Sequence, residues 1–177
     1  MSIANYISLF RIILIPFFIM CVFYSRFGAA LVIFSTACFS DAIDGYIARV
    51  TNQRTKLGAI LDPIADKLLL GSAFICLSVL YTLPEYIRIP PYVIIIVLSR
   101  DAIILIGYLL IHYMQREIKI EPCWSGKCTT VLQMMTIIAV LAEWPYVVWL
   151  WNVAMAFTVF SGARYLHKGI KVLNECV

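Results

Sequence analysis

The chain has 177 residues, 63% of them apolar and 14% charged, with a formal net charge of +4 and a mean hydropathy of +0.92; a soluble domain is roughly 45–50% apolar. Fourteen basic and ten acidic residues cannot cover a water-facing surface of this size, which excludes a soluble globule and leaves an integral membrane protein. At ~20 residues per crossing the length holds about six spans, in one domain over residues 1–177.

In chain order, hydropathy predicts spans at 5–24, 29–51, 58–82, 91–115, 127–143 and 145–166. The first begins MSIANYISLFRIILIPFF, without a positive leading segment and with Arg11 inside the apolar run, so it reads as a span rather than a cleaved signal. All six are predicted to be α-helices, because an open strand edge has no partner in lipid and the apolar runs lack the alternation of a membrane barrel. Pro16, Pro63 and Pro145 fall within or beside spans, where neighbouring groups re-satisfy the freed carbonyls. The six cysteines are scattered through apolar sequence and read as buried thiols. Trp124, Trp144, Trp149 and Trp151 gather near the ends of the last spans, as an aromatic belt does. His112 and His167 have no partner at ligand spacing and read as structural or interfacial.

Charge sets the expected orientation. Arg49, Arg54, Lys56, Arg116, Lys119, Lys127, Arg164, Lys168 and Lys171 follow the even-numbered spans, whereas only Arg26 and Arg88 lie on the other side. The positive-inside rule then makes the first side cytoplasmic and places both termini there. These residues flank helices and form no single basic face, so they suit anionic headgroups and not nucleic acid.

The remaining ionisable residues carry the chemistry, since a charge inside a span is costly and marks function by default. The second span ends with Asp41 and Asp44 three apart, and the third begins with Asp62 and Asp66 four apart, so each pair shares a helix face. The turn between them centres near Gln53, with Asp41 twelve residues before it and Asp66 thirteen after. An antiparallel hairpin therefore brings four carboxylates together on the order of 10–15 Å below its tip. Four such groups cannot all ionise in a low dielectric without compensation. An all-oxygen cluster selects hard divalent ions, Mg²⁺ first with Mn²⁺ or Ca²⁺ as substitutes, and four acids suit two of them. The alternative is that the acids pair with Arg11, Arg49 or Lys67 and line a cation path. Gly45, Ala48 and Gly58 clear room at the helix backbone beside the acids, or serve as close-packing residues. Arg49 is an interface anchor or, beside such a cluster, a partner for a pyrophosphate.

Residues 41–66 read D-A-I-D-G-Y-I-A-R, eight residues, G-A-I-L-D-P-I-A-D. This resembles the D-x2-D-G-x2-A-R-x8-G-x3-D-x3-D signature of the CDP-alcohol phosphatidyltransferase family. NYISLFRIILIPFF at 5–18 looks like that family's first helix, and SGARYLHKG at 161–169 looks like the end of its bacterial phosphatidylglycerophosphate synthases. The resemblance implies a six-helix membrane fold, usually a homodimer, in a bacterial inner membrane, with the active site at the cytoplasmic interface. It implies that Asp41, Asp44 and Asp62 hold two metal ions, with Asp66 a further ligand and the general base. It also implies that Asp41, Gly45, Ala48, Arg49, Gly58 and Asp62 cradle the cytidine diphosphate of CDP-diacylglycerol. No Ser, Cys or His stands out as a nucleophile, which favours direct displacement.

For the acceptor, Arg100 and Asp101 interrupt the fourth span and Lys127 opens the fifth. Arg100 and Asp101 form a self-compensating pair, or Arg100, Lys127 and Arg164 form a basic pocket for the phosphate of glycerol 3-phosphate. The sequence Ser99-Arg100-Asp101 and the presence of Thr129 look more like the cardiolipin-forming members of the family, whose acceptor is phosphatidylglycerol.

Overall fold

The computed structural model describes the backbone of residues 3–51, 56–79, 87–113 and 124–174, and the side chains of 7–41, 63–79, 87–107 and 124–165. It is all-helical: α1 (Ile3–Phe23), α2 (Phe27–Thr51), α3 (Lys56–Val79), α4 (Pro91–Tyr113), α5 (Trp124–Leu141) and α6 (Val147–Asn174). These match the six predicted spans. The largest difference is at α6, which continues eight residues past the predicted end at 166; hydropathy finds where the apolar run stops, and the helix continues into the polar sequence beyond it.

Helix α1 packs along both α2 and α3, α5 packs on α6, and α4 joins the halves through α3 and α6, while α5 also meets α2 and α3. The core is aliphatic and aromatic, with Phe18, Phe34, Leu69, Leu70, Phe74, Leu77 and Ile137 almost fully buried. The outside is apolar too: Phe10, Phe17, Val32, Phe39, Ile75, Ile95, Ile106, Val131, Met135, Val153 and Phe160 are all exposed. Exposed apolar side chains on every helix are the surface of a protein solvated by lipid. Among the described residues, Val147–Tyr165 is long and apolar enough to cross a bilayer on its own composition, while Ile7–Phe23 and Phe27–Asp41 are shorter apolar runs.

Two tight connections share one device. After α1, Arg26 donates its backbone N–H to the Cys21 carbonyl (2.9 Å) and Ser25 to that of Val22 (3.0 Å); after α5, Trp144 donates to Ala139 (2.9 Å) and Glu143 to Val140 (3.0 Å). These are the paired bonds of a Schellman cap, and the residue at its left-handed position is Ser25 (φ 55°) in one and Glu143 (φ 52°) in the other. Glycine normally stands there because a Cβ is strained in that conformation. Ser25→Gly and Glu143→Gly are each expected to stabilise the protein by up to about 1 kcal/mol, read as a raised midpoint of thermal unfolding in detergent. Pro145 lies in this second turn, just before α6, and Pro16 and Pro63 sit inside α1 and α3.

The thiols of Cys21, Cys38, Cys76 and Cys128 are free; Cys76 is buried and the other three are half-buried. Cys123, Cys176 and the side chains of His112 and His167 lie outside the described residues. The aromatic belt holds for Trp124, Trp144 and Trp149, which are exposed, but Trp151 is only 8% exposed and packs edge-on against Tyr92, ring centroids 6.3 Å apart. Trp151 points inward because it lies two residues, about 200°, around the helix from Trp149.

Candidate active site

Arg11 on α1, Asp41 on α2, Asp66 and Lys67 on α3, and Arg100 and Asp101 on α4 form a chain of charges inside the bundle, with Gly126 of α5 and Ser161 of α6 against Arg100. Arg11, on α1, is 2% exposed, and its Nη2 pairs with Asp41 Oδ1 on α2 at 2.8 Å. The Asp41 side chain is 39% exposed, so it keeps open surface beyond that contact. Asp66 on α3 lies within electrostatic reach of Asp41, Arg11, Lys67 and Asp101. The expected convergence of the α2 and α3 acids thus holds for Asp41 and Asp66, but with α1 packed on both arms of the hairpin and Arg11 supplying a positive charge between them. The side chains of Asp44, Gly45, Ala48, Arg49, Gly58 and Asp62 lie outside the described residues; their backbones belong to α2 and α3.

Asp66 Oδ1 is buried and has no hydrogen-bond partner among the described residues. A carboxylate oxygen shut away from water without a donor is costly, and Asp41 is among the charges within reach of this group. An oxygen-only set with one orphaned carboxylate oxygen fits a hard divalent cation. Among the described residues, no cluster of three or more metal-ligating side chains forms without Asp44 and Asp62.

A second polar group lies across α3, α4 and α6. Arg100 Nη1 donates to Asp101 Oδ1 at 2.6 Å, Lys67 Nζ to Asp101 Oδ2 at 3.0 Å, and Arg100 Nη2 to Ser161 Oγ at 2.8 Å. Arg100 and Asp101 are both buried, so the adjacent pair does form. Its hydrogen bonding is incomplete, because Arg100 Nε is buried with no partner among the described residues. Of the guanidinium's five N–H groups, Asp101 and Ser161 account for two.

Lys127 and Arg164 are exposed, one on α5 and one on α6, and Arg164 lies over the Phe160 ring at 5.4 Å. Besides Asp101, Arg100 meets Ser161, Gly162 and Gly126. Ser161 Oγ accepts from Arg100 as above, a Cβ on Gly126 would stand 3.4 Å from Arg100 Nη2, and one on Gly162 would stand 3.5 Å from Arg100 Cγ. The absence of side chains at these two positions lets α5 and α6 close over the guanidinium. Sequence reasoning passed over them; the signal was the repeated Ser-Gly at 125–126 and 161–162.

Below the arginine, α5 buries Ser125, Thr129, Gln133 and Thr136 against α6. Thr129 Oγ1 donates across the interface to the Phe157 carbonyl at 3.3 Å, and Gln133 Nε2 to Thr158 Oγ1 at 3.5 Å. Polar contacts of this kind fix the register of membrane helices at modest energy, about 0.6 kcal/mol each. Between α4 and α6 a cavity of about 300 Å³ is lined by Ile96, Ser99, Arg100, Thr158, Gly162 and Tyr165, among others, and gives Arg100 access to the surface.

Residues 1–160 match the profile described as CDP-alcohol phosphatidyltransferase. The chain is 36% identical over 142 residues to the "Probable phosphatidylglycerophosphate synthase" of Mycobacterium tuberculosis, covering 77% of this chain and 64% of the relative; it thus spans somewhat under two thirds of that protein's length. It is also 36% identical over 182 aligned positions to the "CDP-diacylglycerol--glycerol-3-phosphate 3-phosphatidyltransferase" of Escherichia coli K12, covering 93% of both chains, and matches the protein of that name from Shigella flexneri serotype 5b to the same degree.

Proposed function

The chain belongs to the CDP-alcohol phosphatidyltransferase family, and we propose on that basis that it transfers a phosphatidyl group from CDP-diacylglycerol to glycerol 3-phosphate, releasing CMP. The single observation that carries this reading is the orphaned, buried Asp66 oxygen within electrostatic reach of Asp41, the fourth and first acids of a D…D…D…D spacing that runs through Asp44 and Asp62. The names of the Escherichia coli and Mycobacterium tuberculosis relatives support the acceptor.

On this reading Asp41, Asp44, Asp62 and Asp66 hold two Mg²⁺ ions, or Mn²⁺, which when bound withdraw charge from the phosphoryl oxygens of the donor. Gly45, Ala48, Arg49 and Gly58 cradle the cytidine diphosphate together with Asp41 and Asp62. The Asp66 carboxylate accepts the proton of the acceptor hydroxyl as that oxygen attacks the lipid-linked phosphorus. Arg100, with N–H groups left over from Asp101 and Ser161, and Lys127 and Arg164 nearby, bind the acceptor phosphate by charge-assisted hydrogen bonds. Burial makes those bonds to Arg100 strong, since little water competes for them. The site opens to the cytoplasm, both termini lie on that side, and the enzyme works as a homodimer in a bacterial inner membrane.

The test is purified protein with CDP-diacylglycerol and either glycerol 3-phosphate or phosphatidylglycerol, the lipid products identified by mass spectrometry. Phosphatidylglycerophosphate from glycerol 3-phosphate is the expected product, and CMP is not released in a burst without acceptor, because displacement is direct. Cardiolipin formed from phosphatidylglycerol, with no product from glycerol 3-phosphate, would overturn the acceptor and favour the reading that Ser99-Arg100-Asp101 supports. Cation flux into liposomes without nucleotide consumption would overturn the enzyme.

A further inference from the structure

Asp101 stands at the junction of the two polar groups. Its Oδ1 receives Arg100 Nη1 at 2.6 Å and its Oδ2 receives Lys67 Nζ at 3.0 Å, so one buried carboxylate ties α4 to the residue that directly follows Asp66 on α3. Arg100 and Lys67 both donate to this one carboxylate, in a site where the Arg100 and Asp101 side chains are both about 93% buried; Asp66, beside Lys67, is the next acid within electrostatic reach. A buried ion pair is weak evidence of stabilisation, because apolar residues of similar volume serve as well or better. A buried donor left over is a stronger signal: Arg100 Nε has no acceptor among the described residues, and an arriving anion supplies one. Asp101 itself cannot contact that anion, both being negative.

We propose that Asp101 is a positioning residue: it fixes the Arg100 guanidinium, between itself and Ser161, in the orientation that receives the acceptor's phosphate, and draws the Lys67 ammonium to α4. The inference rests on the phosphatidyltransferase reading above. The geometry assigns three roles to three neighbours. Ser161 holds one end of the guanidinium and Asp101 the other, so the fork cannot rotate about its long side chain. Lys67 locks Asp101 in turn.

Steady-state kinetics of the full-length protein in detergent micelles separate this from a structural role. Asp101→Asn is expected to raise KM for glycerol 3-phosphate by about ten- to a hundredfold while KM for CDP-diacylglycerol changes by less than about twofold. Asp101→Glu, which keeps the charge, returns the acceptor KM to within about fivefold of wild type. Lys67→Met raises the acceptor KM by about three- to tenfold, and the double variant is no more than about twofold worse than Asp101→Asn, because residues acting as one unit are not additive. An acceptor KM unmoved by Asp101→Asn, equal rises in both KM values, or multiplying effects in the double variant would each overturn the inference. Should Asp101→Asn fail to fold, Lys67→Met carries the test, and an unchanged acceptor KM there overturns it. Failure of the underlying reading looks different, as wild-type protein would form no product from glycerol 3-phosphate; if phosphatidylglycerol proves to be the acceptor, the same comparison with that lipid decides the inference.

Discussion

Asp66→Asn is expected to reduce CMP release by at least a hundredfold, and on the order of a thousandfold, with glycerol 3-phosphate as acceptor. The substitution keeps size and shape but removes the only group assigned to take the acceptor's proton, a role worth about 10²–10⁴ in rate. It also removes one carboxylate from a set of four, so donor affinity falls, but by far less than turnover, because Asp41, Asp44 and Asp62 remain. Donor affinity measured by equilibrium binding of CDP-diacylglycerol is expected to change by less than about tenfold. The fold tolerates the change: Oδ1 has no hydrogen-bond partner among the described residues, so replacing the carboxylate breaks no bond at that oxygen. A variant with unchanged turnover would remove Asp66 from the chemistry.

The architecture was legible because the physics that sets it is local. A bilayer demands apolar runs of about 20 residues, and the sequence interrupts those runs wherever a turn occurs, so six spans could be read directly. The placement of Asp41 and Asp66 opposite each other followed from counting outward from Gln53 at 1.5 Å per residue. Hydropathy carries no information on which helix lies beside which, and this is where the reading stopped. It could not show that α1 packs on both arms of the hairpin and brings Arg11 to Asp41, nor that Lys67 reaches Asp101, 34 residues away. The Schellman turns at Ser25 and Glu143 went unseen because neither position holds the glycine that normally signals such a cap. Trp151 was placed with its neighbours in the interfacial belt because periodicity alone does not tell which face of an apolar helix meets the protein. The Ser-Gly pairs around Arg100 were visible as a repeat but had no meaning until α5 and α6 were seen to close on the same guanidinium.

The second large effect concerns divalent cations. The carboxylates of Asp41, Asp44, Asp62 and Asp66 belong to two helices of an apolar bundle; among the described residues Arg11 pairs with Asp41, and Lys67 lies within reach of Asp66 while donating to Asp101. These two cations, one of them shared with Asp101, do not balance four carboxylates. Two bound dications would do so, and on the donor diphosphate they would contribute several kcal/mol of transition-state stabilisation, which at about 1.4 kcal/mol per decade is three decades of rate or more. Mg²⁺ is expected to serve best, Mn²⁺ to substitute, and Ca²⁺ to bind with lower activity, because its larger, more flexible coordination shell positions oxygens less strictly. Removing the metal is expected to leave the fold intact, since the helices are held by the apolar core around Phe18, Phe34, Leu70 and Phe74. Thermal unfolding midpoints before and after chelation check this independently of activity.

The most direct test of the account is therefore CMP release from CDP-diacylglycerol as a function of free Mg²⁺, after exhaustive chelation and stepwise restoration of the ion. The account predicts activity below about 1% of the starting value in the chelated protein, recovered along a steep curve that is second order in Mg²⁺ at low concentration. Full turnover in the chelated protein would contradict it.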